Sequence, residues 1–434
     1  MRLRETMHSA KRAEPSAVSC LTWVRGGSPH PPRKTSVGPR GAGARRPLVA
    51  MLFVCVGILV GAGTRTAEAV RPEPLKDLGS KHKVRVTYFV PTDREPTANW
   101  RAKITVLMTF VADLYRQDLT RHGYETRGLD FEFDSDGLLV HLIRGKQKAA
   151  HYNGDPEFEF LSQWRTILPE VEAALGKAAQ NLHVVFAETY DDGPTKFEWR
   201  GGVALGARYT SDGGAGLFSA WILRDAFCAT TIDEQLRFLA DETPIKGRVA
   251  LGCGRMDSPR FEFIEDGFGA VAHEMGHAFG LPHDHRKDRR YVMGNGFRTL
   301  RRNYVEETPP DDRVGFSPEN ARILTRSRFL AKDADSSDAK APHVELETPA
   351  RLKAGAREVP VRGRATDDKG LAAVLYWWRP MDSTVGGAEL AGTSADLGAT
   401  LPVRPLKEGK ADLVVTVIDR GGNIRTAKMT YEVE

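Results

Sequence analysis

The segment from His273 to His283 constrains the chain more than any other, because it reads His-Glu-Met-Gly-His-Ala-Phe-Gly-Leu-Pro-His. Residues four apart share one face of a helix, so His273 and His277 present their imidazoles to a common point, with Glu274 beside them. Two ligands do not complete a catalytic metal site, which needs three from the protein and an open position for water. Gly280 supplies the means for a third. It can take the left-handed conformation that ends a helix, and the chain then swings back so that His283 reaches the same ion. His285 is the alternative third ligand, and the spacing after Gly280 favours His283.

This donor set predicts one catalytic Zn2+. Zinc lowers the pKa of a water from about 15.7 to about 7, which yields a nucleophile near neutral pH. Glu274 is then expected to act as general base and afterwards as general acid to the leaving amine, in the hydrolysis of a peptide bond. A purely structural zinc site has no need of a carboxylate next to its first ligand, so Glu274 argues for catalysis.

These residues resemble the metzincin clan of zinc endopeptidases, and Asp284 directly after the third histidine is similar to the adamalysin-like (reprolysin-like) branch. The resemblance implies a methionine turn beneath the metal, which Tyr291-Val292-Met293-Gly294 supplies with Met293. It also implies that Asp284 supports the turn and is not a ligand. An edge strand that aligns an extended substrate by backbone hydrogen bonds is implied as well, and residues 201–209 are the candidate. Asn295 stands two residues after Met293, where some branches carry a metal-binding tyrosine.

The rest of the chain supports a mixed sheet backed by helices. Alternation marks a strand over residues 84–90, ended by Pro91. Apolar residues from Ile104 to Leu119 recur at helical spacing, with Asn99 as the expected cap and Gly123 as the stop. Residues 131–133 and 138–143 flank a hairpin turn, and residues 157–175 read as a helix kinked or divided at Pro169. Strands are expected at 182–187, 201–209 and 219–223, the last two separated by a glycine-rich turn at 212–216. Helices follow at 265–279 and from Ser317-Pro318. This order of strand, helix, strands, active helix and helix matches the family over residues 81–331. The expected fold is thus an α+β metzincin-like catalytic domain, a mixed twisted sheet backed by helices, followed by a small all-β sandwich.

Residues 1–69 read as a leader with a signal peptide: Arg45 and Arg46 precede an apolar run over 48–62, and Ala67-Glu68-Ala69 is a small-x-small cleavage site. The run is shorter than the roughly 20 residues a bilayer span needs, so a membrane enters only if the segment stays uncleaved. The leader also holds most of the positive charge. The whole chain is formally +5, but residues 1–69 alone carry +8, and the remainder is about −3, so the overall basicity is no argument for a nucleic-acid partner and none is expected. At 41% apolar and 27% charged the composition is that of a globular protein. Export and an even count favour one disulfide between Cys228 and Cys253 over two buried free thiols.

The domains expected are the leader 1–69, a zinc metallopeptidase domain over 70–331, a polar linker over 332–342, and an immunoglobulin-like β-sandwich over 343–434. In the sandwich, adjacent Trp377 and Trp378 face opposite sides of a strand, and packing is favoured over stacking on a sugar or peptide. Asp367, Asp368 and Asp419 fall near turns and are read as turn formers and not as a calcium site. The function expected is that of a secreted zinc-dependent endopeptidase with a protein or peptide substrate. The rival is a surface-polymer binding protein whose zinc domain is catalytically idle.

Overall fold

A computed structural model describes residues 70–153, 161–178, 181–198, 204–210, 213–334, 337–347 and 351–434. The leader and its apolar run lie outside them. Residues Ala69–Glu434 form one compact unit.

The N-terminal half of the described residues is built on a five-stranded sheet. Its strands are β1 (Val84–Val90), β2 (Val140–Arg144), β3 (Asn181–Ala187), β4 (Ala204–Thr210) and β5 (Gly213–Ser219), in the spatial order β2-β1-β3-β5-β4. β1 runs parallel to β2 and β3, and β3 runs parallel to β5, whereas β4 turns back antiparallel at the edge. Nearly every residue of β1 and β3 is buried, as expected of central strands covered on both faces. The glycine-rich segment is therefore a strand, and residues 220–223, expected to be strand, form a 3-10 turn. A side chain at Gly216 would strike the ring of Phe218, at 2.8 Å from its Cζ, so glycine there makes room for that ring.

The longer helices of this half include α1 (Trp100–Arg121), α2 (Leu161–Leu175), α3 (Arg260–Ala278) and α4 (Pro318–Arg326). α1 ends near Gly123, but Asn99 makes no capping bond with its side chain and sits in the left-handed region at φ 55°. Pro169 lies inside α2 without dividing it. Ser317 caps α4 by accepting a hydrogen bond from the Asn320 amide. α1 packs along α3, where the Tyr115 hydroxyl donates to the Ala272 carbonyl at 2.8 Å and Phe110 meets Phe268 edge-on.

The C-terminal half is all β. Its four-stranded sheet has the order β7-β6-β8-β9, from β6 (Leu371–Trp378), β7 (Ser383–Glu389), β8 (Gly409–Asp419) and β9 (Ile424–Val433). A three-stranded sheet of His343–Leu346, Gly363–Thr366 and Ser394–Asp396 and a pair of Glu358–Val361 with Ala399–Pro402 complete it. All eight residues of β6 are buried. Val374, Tyr376 and Trp378 enter the core of the sandwich, while Ala373 and Leu375 on the other face join the core of the N-terminal half. Both tryptophans are buried, so neither offers a ring face for stacking. Ion pairs from Arg322 and Arg326 of α4 to Glu389 of β7 flank this contact.

Candidate active site

Helix α3 carries the site. It begins one turn earlier than the periodicity predicts, after Pro259, and its last turns hold His273 and His277 with ring centroids 4.8 Å apart. Gly280 then takes φ 88°, a conformation costly for any residue with a Cβ, and the Leu281 amide turns back to the Gly276 carbonyl at 3.0 Å. This reversal delivers His283, whose ring centroid lies 5.3 Å from that of His273 and 4.8 Å from that of His277. One ring nitrogen from each of the three lies within 4.8 Å of the others, and all three residues are buried.

Each imidazole is held by its other nitrogen. His273 Nδ1 meets the Val292 carbonyl at 2.6 Å, His277 Nδ1 meets the Leu281 carbonyl at 2.6 Å, and His283 Nδ1 meets Asp382 Oδ2 at 2.8 Å. A carbonyl or carboxylate oxygen only accepts, so Nδ1 carries the proton in each ring and the lone pair sits on Nε2. Burial pushes the His273 imidazolium well below its ordinary range, and the neighbouring His277 and His283 push it further. Burial likewise lowers His277 to about 3, with His283 adding to the effect. Neutral, oriented imidazoles are the form that binds a transition-metal ion, so the donor set fits one.

The floor of the site is the turn at Met293. Met293 is fully buried, its carbonyl accepts from the Asp284 amide at 2.8 Å, and a Cβ built on Gly276 would lie 2.3 Å from its Sδ. Glycine at 276 thus leaves room for the Met293 side chain against the helix. Asp284 is occupied elsewhere: its carboxylate accepts from Arg286 at 2.6 and 2.9 Å and from the Ser383 hydroxyl at 3.4 Å. His285 turns its Nδ1 to Asp288 at 2.6 Å, and among the described residues the group that contains His273 and His277 has His283 as its third member. The side chain of Asn295 donates to the Asp288 carboxylate. Glu274 is buried one residue along from His273.

Sequence reasoning missed Asp382, Ser383 and Thr384. They come from the tight turn into β7 of the sandwich, where Asp382 sits at φ 45°. The Thr384 amide donates to the His283 carbonyl at 2.7 Å, and Ser383 Oγ accepts from the His285 amide at 2.9 Å. The second half of the molecule thus grips the segment 283–285 and supplies the carboxylate that orients the third histidine. No local spacing signals this, since the contact spans about a hundred residues.

The disulfide expected between Cys228 and Cys253 is not formed. Cys228 is buried against the Lys103 carbonyl at 3.4 Å, whereas Cys253 lies in an exposed loop and pairs with Ser258 Oγ at 2.5 Å. Burial raises the Cys228 thiol far above its ordinary range, so it is an inert packing residue. At the other side of the site, β4 forms the sheet edge and runs beside α3. The beginning of the expected strand, residues 201–203, lies outside the described residues.

The fold has solved counterparts. OgpA from Akkermansia muciniphila, in a catalytically inactive form in complex with an O-glycopeptide (glycodrosocin) substrate, superposes with a TM-score of 0.57 at 16% identity, over 83% of this chain and 95% of that one. Wild-type OgpA gives a TM-score of 0.55 at 16% identity over 83% and 96% of the two chains. The shared fold therefore takes in the sandwich as well as the catalytic half. Comparison with curated protein sequences returns no match. Residues 98–338, more than half of the chain and including the three histidines, match the family model "Metallopep: Putative peptidase family", and the chain belongs to that family of metallopeptidases.

Proposed function

We propose that the protein is an exported zinc endopeptidase of the metzincin type, with His273, His277 and His283 holding one catalytic Zn2+ and Glu274 as the catalytic base. The observation that carries the reading is the convergence of three buried histidines, each fixed through Nδ1. Three imidazole donors suit zinc above the hard cations, which prefer oxygen. When bound, zinc supplies Lewis acidity that polarises the scissile carbonyl and makes water acidic enough to attack it.

The chain's own groups do the rest. The open edge of β4 pairs with an extended peptide through main-chain hydrogen bonds and sets the scissile bond across α3. Glu274 accepts a proton from the attacking water and returns it to the amine nitrogen as the C–N bond breaks. Asp382 keeps the His283 ring in place and its tautomer fixed. The glycopeptide bound by OgpA makes O-glycosylated peptides the first substrate class to test beside plain ones.

The test pairs elemental analysis with cleavage of peptide and O-glycopeptide panels, with and without a chelator. One zinc per chain and chelator-sensitive cleavage are expected. The variant Glu274→Gln should keep its zinc while losing roughly 10²–10⁴-fold in kcat, the range for removal of a general base. One zinc per chain with no cleavage of any peptide would replace this reading by that of a surface-polymer binder with an idle zinc domain. Export is checked by N-terminal sequencing of secreted material, with Val70 expected as the first residue.

A further inference from the structure

A second group of ionisable side chains lies away from the histidines. Asp338, Asp367 and Asp419 come from three separate segments, and a carboxylate oxygen of each lies within 4.8 Å of the others. Asp338 follows the polar segment after α4, Asp367 precedes β6, and Asp419 ends β8. Asp338 is 4% exposed and Asp419 0%. Among the described residues none of the three takes part in an ion pair.

The hydrogen bonds orient these groups without satisfying them. Asp367 Oδ1 accepts from the amides of Lys369 at 2.9 Å and Gly370 at 2.7 Å, and Asp338 Oδ1 accepts from the Lys340 amide at 3.2 Å. Asp419 accepts from Asn423 through its amide at 2.8 Å and its side chain at 3.0 Å. Oδ2 of Asp338 and Oδ2 of Asp367 are both buried and receive no hydrogen bond. A buried carboxylate oxygen without a donor costs several kcal/mol, and a second like it in the same cluster adds repulsion to desolvation. Burial pushes the Asp419 carboxyl up to about 7, and the charges of Asp338 and Asp367 add to the shift. A cation removes all of these costs together.

We propose that Asp338, Asp367 and Asp419 bind one Ca2+ ion. The donors are hard oxygens on loops, which suits Ca2+ with its 6–8 flexible oxygen ligands. Water completes the shell. The site also bears on how the two halves are joined. Asn423, which holds Asp419, accepts a hydrogen bond from Arg328 just beyond α4, and its side chain donates to the Asp338 carbonyl at 3.3 Å. A Cβ built on Gly422 would lie 2.5 Å from the Arg328 amide nitrogen. Filling the site therefore fastens the segment that leaves the catalytic half to the end of β8.

The test uses the full chain with the histidine site kept saturated by zinc, so that its outcome is independent of the peptidase reading. Equilibrium dialysis with radioactive Ca2+ should give one saturable site per chain with a Kd of about 1 mM or tighter, as in extracellular modules. Asp338→Asn and Asp367→Asn should each weaken it at least about tenfold, the loss of one charged ligand. Thermal melts should reverse their order. Without calcium both variants melt above the wild type, because a buried like charge is gone, and with saturating calcium the wild type melts highest. Should Asp338→Asn fail to fold, the less buried Asp367→Asn carries the same comparison. Absence of saturable binding, equal affinity for Mg2+, or wild-type affinity in a folded variant would each overturn the assignment.

Discussion

Asp382 is the residue whose role in the site is least visible in sequence and most specific in structure. It accepts from His283 Nδ1 at 2.8 Å, while the backbone around the histidine is held separately by Ser383 and Thr384. Asp382→Asn should therefore leave the fold intact and weaken metal binding by about 10–100-fold, the usual effect of losing a ligand's outer partner. Competition with a chromophoric chelator measures it. An unchanged affinity would mean that the carboxylate does not tune His283. Glu265, on α3, offers a test of a different kind. Burial raises its carboxyl from 4.5 to about 8, although the Arg301 amide donates to it at 2.9 Å. The folded state then holds a proton that the unfolded state releases above pH 4.5, so this group lowers stability as pH rises from about 4.5 to about 8. Glu265→Gln should remove that part of the pH dependence, with the variant gaining on the wild type in melts at pH 8 and little at pH 4. His273, His277, His283 and Gly280 were legible because one helix and one turn bring them together. Asp382 was not, since residues so far apart in sequence meet only through the packing of two halves.

At the scale of elements, α3 and the turn at Met293 behave as one device. Gly280 at φ 88° sets the direction in which His283 leaves the helix, and Gly276 lets Met293 close beneath it. Gly280→Ala should cost about 1–2 kcal/mol from the left-handed conformation alone, read as a lower denaturant midpoint. Gly276→Ala should cost about 1–3 kcal/mol through overpacking against Met293, and the loss should shrink when Met293→Ala is added. Additive losses would show that the two residues do not share that space. Strands with clear alternation, such as β1, and helices with clear periodicity, such as α1, were legible within a few residues. The glycine-rich β5 was not, because three glycines in its first four residues leave no alternation to read. Its place between β3 and β4 is set by its neighbours.

For the whole molecule, the decisive element is β6. Its two faces serve two cores, with Val374, Tyr376 and Trp378 on one and Ala373 and Leu375 on the other. The composition revealed a β-rich tail, but a strand buried on both faces reads the same whether its second cover is a sheet or another half of the protein. A chain ending before His343 would expose the apolar face that β6 and Ile418 of β8 cover, and would lack Asp382 and Thr384. It should aggregate or bind zinc less than stoichiometrically, as light scattering and metal analysis would report, whereas a soluble fragment with one zinc per chain would contradict the shared core. The grip of residues 382–384 on His283 also has a bearing on how the molecule is made. A growing polypeptide displays all three histidines roughly a hundred residues before the carboxylate that orients the last of them exists. Domains fold as synthesis proceeds from the N-terminus, so the order of synthesis itself delays completion of the site until the turn into β7 has been made.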